Sequence, residues 1–118
     1  MKRITLIVRQ TEINKLFPDG LHLQLEDNAS VFDAIKAFDG EMLRRHGQFP
    51  VKTFACLFQM VYHPYENRFY KQVAIQASAK TEKFLNVREN PNMILPDATT
   101  IVLIPQGGCS TDWEEPVK

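Results

Sequence analysis

Apolar and polar positions alternate with two different periods along this chain, and the change of period marks out its elements. The opening run Arg3-Ile4-Thr5-Leu6-Ile7-Val8-Arg9 is rich in β-branched residues and sets Ile4, Leu6 and Val8 on one face, as a strand requires. Thr11 to Gly20 reads as turn, punctuated by Pro18-Asp19-Gly20. Leu21, Leu23 and Leu25 then alternate with His22, Gln24 and Glu26, the period of a strand with one wet face, so the first two runs predict a hairpin with a long loop. From Val31 the period lengthens: Val31, Ala34, Ile35, Phe38 and Met42 fall at helical spacing, with Ser30 in front as N-cap and Asp33 placed to reach back to its amide. Gly40 costs such a helix about 1 kcal/mol relative to Ala, so a kink or an end is expected there before Glu41 to His46 continue and Gly47 and Pro50 close it.

Beyond the helix, Thr53 to Tyr62 alternates Phe54, Cys56, Phe58, Met60 and Tyr62 with Ala55, Leu57, Gln59 and Val61, apolar on both faces. His63 to Arg68 reads as turn, and Phe69 to Ala77 resumes strand character, so residues 53–77 are expected to form a second hairpin with a mobile tip. Lys80 to Leu95 has no period, Pro96 to Thr99 is a turn, and Ile101 to Ile104 reads as a strand buried on both faces. The first and last runs are the most apolar. They are therefore expected side by side and parallel at the centre of a mixed sheet of four to five strands, with one main helix across one face, an α+β fold.

Composition narrows the function classes. The 118 residues suit one domain, and 44% apolar with 24% charged residues is ordinary for a soluble globular protein. Lys plus Arg and Asp plus Glu each number 14, and this zero net charge argues against a nucleic-acid binder and leaves no polybasic handle for membranes. No apolar run approaches the roughly 20 residues of a membrane span, so a cytoplasmic protein is expected. Cys56 and Cys109 are too few for a disulfide framework and lack metal-ligand spacing, though one bridge between them stays open. His22, His46 and His63 are scattered, and zinc would need three or four convergent ligands. Neither a phosphate loop nor a nucleophile elbow is present.

The ending carries the chemistry. Asn92 to Pro105 is a turn and a strand that lead through Gln106 into Gly107-Gly108, with Cys109 to Lys118 behind. With the opening hairpin and the helix capped at Ser30, this pattern resembles the ubiquitin-like β-grasp family, in particular the sulfur carriers of molybdopterin and thiamine synthesis, over about two thirds of the chain. The four-cysteine set of the iron–sulfur members of that fold is absent. The hairpin near Pro64 to Arg68 is longer than in a minimal carrier. The tail is more like that of a ubiquitin-type precursor, which a peptidase trims.

The resemblance implies a β-grasp domain over residues 1–106 and a diglycine with removable tail over 107–118. It implies a Gly108 carboxylate adenylated by an activating enzyme for sulfur transfer or protein conjugation. ATP and magnesium would belong to that partner, and no cofactor to this chain; a trimming peptidase and an acceptor protein or sulfur-transfer enzyme complete the set. Two residues without Cβ atoms suit a narrow channel into a closed nucleotide site. The chain would be a carried substrate rather than an enzyme, and Gln106, Phe58, Met60 and Trp113 are the candidate partner contacts, since aromatic and Met side chains are enriched at interfaces. The simpler reading makes Phe58 and Met60 core and the diglycine a turn. Cys109 sits among Asp112, Glu114 and Glu115, which disfavour a thiolate, and Cys56 reads as a small core residue. The alternative function is a noncatalytic adaptor or subunit of a larger complex, with the diglycine only a hinge.

Overall fold

A computed structural model describes residues 1–105. Strand β1 (Lys2–Val8) lies inside a four-stranded mixed sheet. On one side it pairs antiparallel with β2 (Leu21–Leu25), Lys2 opposite Leu25 and Leu6 opposite Leu21. On the other it pairs parallel with β6 (Thr99–Pro105), Ile4 beside Thr99 and Val8 beside Leu103. Strand β5 (Val73–Ser78) closes that side antiparallel to β6, for a spatial order β2-β1-β6-β5. The central parallel pair is as the sequence predicts. Ile4, Leu6, Val8, Ile101 and Leu103 are buried on the face that helix α2 (Val31–His46) covers.

Helix α2 starts where its sequence says. The Asp33 carboxylate accepts the Ser30 N–H at 2.9 Å, the reach-back half of a capping box. Gly40, where a kink or an end was expected, is exposed and the helix runs through it to His46. Gly47 ends it in the left-handed region, φ 74°, donating to Leu43 at 2.8 Å. The segment read as turn holds a short helix, α1 (Thr11–Leu16), in which the Ile13 N–H donates to the Gln10 side chain at 3.0 Å and Ile13 is buried. A single buried anchor is too little to register as a period. Gly20 closes this loop for a steric reason: a Cβ there would stand 2.6 Å from Ile7 Cγ1 and 2.8 Å from the Leu6 carbonyl oxygen, and its φ is +84°.

The expected long hairpin over residues 53–77 is corrected. Leu57–Val61 forms a third helix, α3, and only Tyr62–His63 (β3) and Arg68–Phe69 (β4) pair as a two-stranded ribbon apart from the main sheet. The main sheet thus has four strands, and the part of the segment that joins it begins at Val73. Two forces favour the helix. Leu57, Met60 and Val61 lie at helical spacing and are all buried. The Asp39 carboxylate on α2 also accepts the Leu57 and Phe58 amides, at 2.7 and 3.3 Å.

One side chain joins the ends of the fold. The Lys2 ammonium, with the residue 4% exposed, donates to the carbonyls of Asp27 (2.9 Å), Ala29 (2.9 Å) and Leu95 (2.6 Å). Burial pulls its pKa below the ordinary lysine value, against the opposing pull of Asp27, Asp33 and Asp97. Beside it, Arg3 N–H donates to Asp97 Oδ1 at 2.8 Å and Ala98 N–H to the Arg3 carbonyl at 2.9 Å, which holds Ala98 at φ 61°. These bonds fix the register of β6 before it begins. Irregular residues 79–95 are pinned by buried Leu85, Val87 and Leu95.

Lys2→Met keeps much of the apolar stem but strips three buried carbonyls of their shared donor. It is expected to lower unfolding free energy by about 2–4 kcal/mol, since each buried polar group left bare costs on the order of 1–3 kcal/mol. Urea unfolding reads this as a lower midpoint at unchanged slope; an unchanged midpoint would show that water replaces the tether.

Candidate functional site

The helices leave the other face of the sheet open, and strand register decides which side chains stand there. Ile4, Leu6 and Val8 point to the helices, so Arg3, Thr5 and Ile7 take the opposite side of β1. Thr100, Val102 and Ile104 do so on β6, and Ala74, Gln76 and Ser78 on β5. Register puts Ile7 beside Val102, and Ala74 opposite Ile104. These half-buried residues make an apolar patch at the end of the face where β6 runs out at Pro105. The other end of the face is polar: Arg3, Gln24, Thr100, Ser78, and His22, whose Nδ1 lies 3.0 Å from Thr5 Oγ1. The open face is thus graded, apolar toward the C-terminal end of the central strand and polar toward its start.

Reading Ile101 to Ile104 as buried on both faces missed this patch. Ile101 and Leu103 are fully buried, whereas Val102 and Ile104 keep part of their surface in solvent. The signal was present in Ile7, Val102 and Ile104, apolar at positions where a sheet with a wet outer face carries polar residues.

The other nominated residues separate from this patch. Phe58 and Met60 sit on α3, which packs on α2 in the helical layer. Met60 is buried, and half-buried Phe58 packs in an aromatic cluster, 5.9 Å from Phe32 and 5.1 Å from Tyr62 between ring centres. Gln106, Gly107, Gly108, Cys109 and Trp113 lie outside the described residues.

Among the described residues the three histidines stand apart from one another. His46 packs edge-on to Phe17, with ring centres 5.8 Å apart. His63 Nδ1 accepts the Tyr65 and Glu66 amides at 3.3 and 3.1 Å, and His22 is on β2. No group of three or more His, Cys, Asp or Glu side chains among the described residues could hold a metal ion. Half-buried Cys56 shares a hydrogen bond with Asp39 at the start of α3. A groove of about 490 Å³ between the end of α2 and the following loop is lined by Leu43, Phe49, Pro50, Lys52, Phe54 and Ala55, with no acid or histidine in its wall. No described helix is long and apolar enough to cross a membrane.

Comparison with protein-family models, with curated proteins and with solved structures gives no match.

Burial raises the Asp39 carboxyl above its ordinary pKa of 3.8, against the Leu57 and Phe58 amides and Cys56, which pull it down. A carboxyl with a raised folded pKa contributes stability that is fully present below 3.8 and is lost as pH climbs through the folded value. The stability of the wild-type protein relative to Asp39→Asn is therefore expected to fall as pH rises from below 3.8 toward neutrality. Urea midpoints measured against pH check this, and a pH-independent difference would sink it. Asp39→Ala, which also removes the acceptor for two amides, should cost about 1–2 kcal/mol below pH 3.8 and less as pH rises.

Proposed function

We propose that this chain is a ubiquitin-like protein of β-grasp type that acts as a carrier or modifier through the carboxyl group of Gly108. The observation that carries the reading is the coincidence of two features at one end of β6. The apolar patch of Ile7, Ala74, Val102 and Ile104 lies beside Pro105, and the sequence proceeds from Pro105 directly into Gln106-Gly107-Gly108. A surface that grips a partner and a chain end that enters the partner's active site must be close together for one docking event to serve both. The central parallel pair and the helix crossing between β2 and the later strands further support the β-grasp reading.

In this proposal a peptidase cleaves after Gly108 and removes residues 109–118. The freed carboxylate attacks the α-phosphorus of ATP on an adenylating partner, with magnesium assisting there, and pyrophosphate leaves. A sulfur nucleophile or a cysteine thiol then displaces AMP from the acyl adenylate, giving a thiocarboxylate or a thioester, the latter able to pass to an amine of an acceptor protein. The open face grips the enzyme, and the chain itself supplies no catalytic group. Its place of action would be the cytoplasm.

Intact mass of the protein recovered from its native cells tests this. A species ending at Gly108, with an added sulfur or joined to a second chain, is the expected result. Only full-length protein, with full function in a Gly108→Ala variant, would replace this reading with that of an adaptor in which the diglycine is a hinge. Val102→Lys is expected to slow activation of the trimmed protein about tenfold or more, because a charge set in an apolar contact typically costs upward of 1–2 kcal/mol. Its far-UV circular dichroism should be unchanged; an unchanged activation rate would remove the patch from the docking surface.

A further inference from the structure

The sheet has two edges, and the chain treats them differently. Along β5, Leu85 N–H donates to the Ala77 carbonyl at 2.9 Å and Ala79 N–H to the Glu82 carbonyl at 2.7 Å, so residues 79–87 fold over that edge. Along β2 no described segment does so. Among the described residues, the backbone of Leu21–Leu25 bonds to no element other than β1, which leaves every second N–H and C=O on its outer side without a protein partner. The strand also lacks the usual guards of an open edge: it has no Pro, Lys or bulge, and its register with β1 is unbroken from Leu21 to Leu25.

The sequence of β2 is complementary to itself in the antiparallel sense. With a two-fold axis at Leu23, Leu23 lies opposite Leu23 of a second copy, Leu21 opposite Leu25, and His22 opposite Gln24. The leucines all lie on the helix side, so pairing would continue the apolar layer from one copy to the other. On the open side each facing pair sets an imidazole against a carboxamide, groups that can hydrogen-bond and carry no like charges to repel. The same register serves whichever alternate set of amides faces outward.

We propose that two copies of this chain pair antiparallel through their β2 edges, forming a two-fold homodimer whose sheet is continuous across both. An isologous contact closes on itself and consumes both exposed edges, so it ends at two copies. The apolar patch lies on β1, β6 and β5 and stays free in each copy, which makes the dimer bivalent.

Sedimentation equilibrium across a concentration series, with hydrogen exchange on the same samples, tests this. The wild-type protein is expected to show a monomer–dimer equilibrium, with β2 amides exchanging more slowly as concentration rises. The double variant His22→Lys with Gln24→Lys sets Lys against Lys twice per dimer, and the double variant His22→Glu with Gln24→Glu sets Glu against Glu. Both changes are at exposed positions. Each variant alone should associate roughly tenfold or more weakly than wild type, and an equimolar mixture should recover the dimer as a heterodimer. The mixture also controls for folding, since a misfolded variant would not be rescued by its partner. A wild-type protein that stays monomeric at millimolar concentration overturns the proposal. So does a dimer that leaves β2 exchange independent of concentration, or a mixture that does not re-associate.

Discussion

The two ends of this fold are tied together by a lysine where a lysine is costly. The Lys2 ammonium is held out of water by carbonyls from the loop before α2 and from the approach to β6, so one charge ties the first strand to the helix and to the last strand. A hydrophobic residue could fill the same space but could not choose among registers. Side chains in a strand repeat every second residue, so a slip of one position between β1 and β6 would turn Ile101 and Leu103 outward and expose the core. The Lys2 contacts, with the Asp97 carboxylate on the Arg3 amide, select the one register in which this does not happen.

With that register fixed, both faces of the sheet follow. The inner face of β1 and β6 is closed by α2, and the outer face inherits Ile7, Val102 and Ile104 beside one another. Among the described residues no group of three or more His, Cys, Asp or Glu side chains that could hold a metal ion accompanies them. His22 and Gln24 face outward on the β2 edge, whereas Ile7, Val102 and Ile104 stand on β1 and β6.

The sequence reading was clearest where one period ran long enough to average out single residues. The Leu21-Leu23-Leu25 alternation, the Val31 to Met42 stripe and the Ser30–Asp33 pair gave the second strand and the helix together with its start, and the two most apolar runs gave the central parallel pair. Reading failed where both periods fitted. Thr53 to Tyr62 is apolar at nearly every position, so its contents fit a strand or a helix, and the choice was made by Asp39, many residues away, capping Leu57 and Phe58. Gly40 misled because its intrinsic cost was weighed without its position; on an exposed turn of a helix whose other face is buried, that cost is outweighed by packing. The apolar patch went unread because apolar Val102 and Ile104, alternating with Ile101 and Leu103, fit a strand buried on both faces as well as one with an apolar patch on its open side.

The parallel pairing of the first strand with the last also governs how the molecule comes to be folded. Contacts such as Lys2 to Leu95 and Arg3 to Asp97 span 93 and 94 positions, so the centre of the sheet cannot form until almost the whole of the described chain has been synthesised. Closing so large a loop comes late and makes folding slower than local pairing would. Until then Ile4, Leu6 and Val8 wait beside β2 with one strand edge bare. A nascent chain interrupted before Thr99 therefore has no half-folded state with its centre in place, and it presents to proteases and chaperones a hydrophobic edge that the finished molecule does not have.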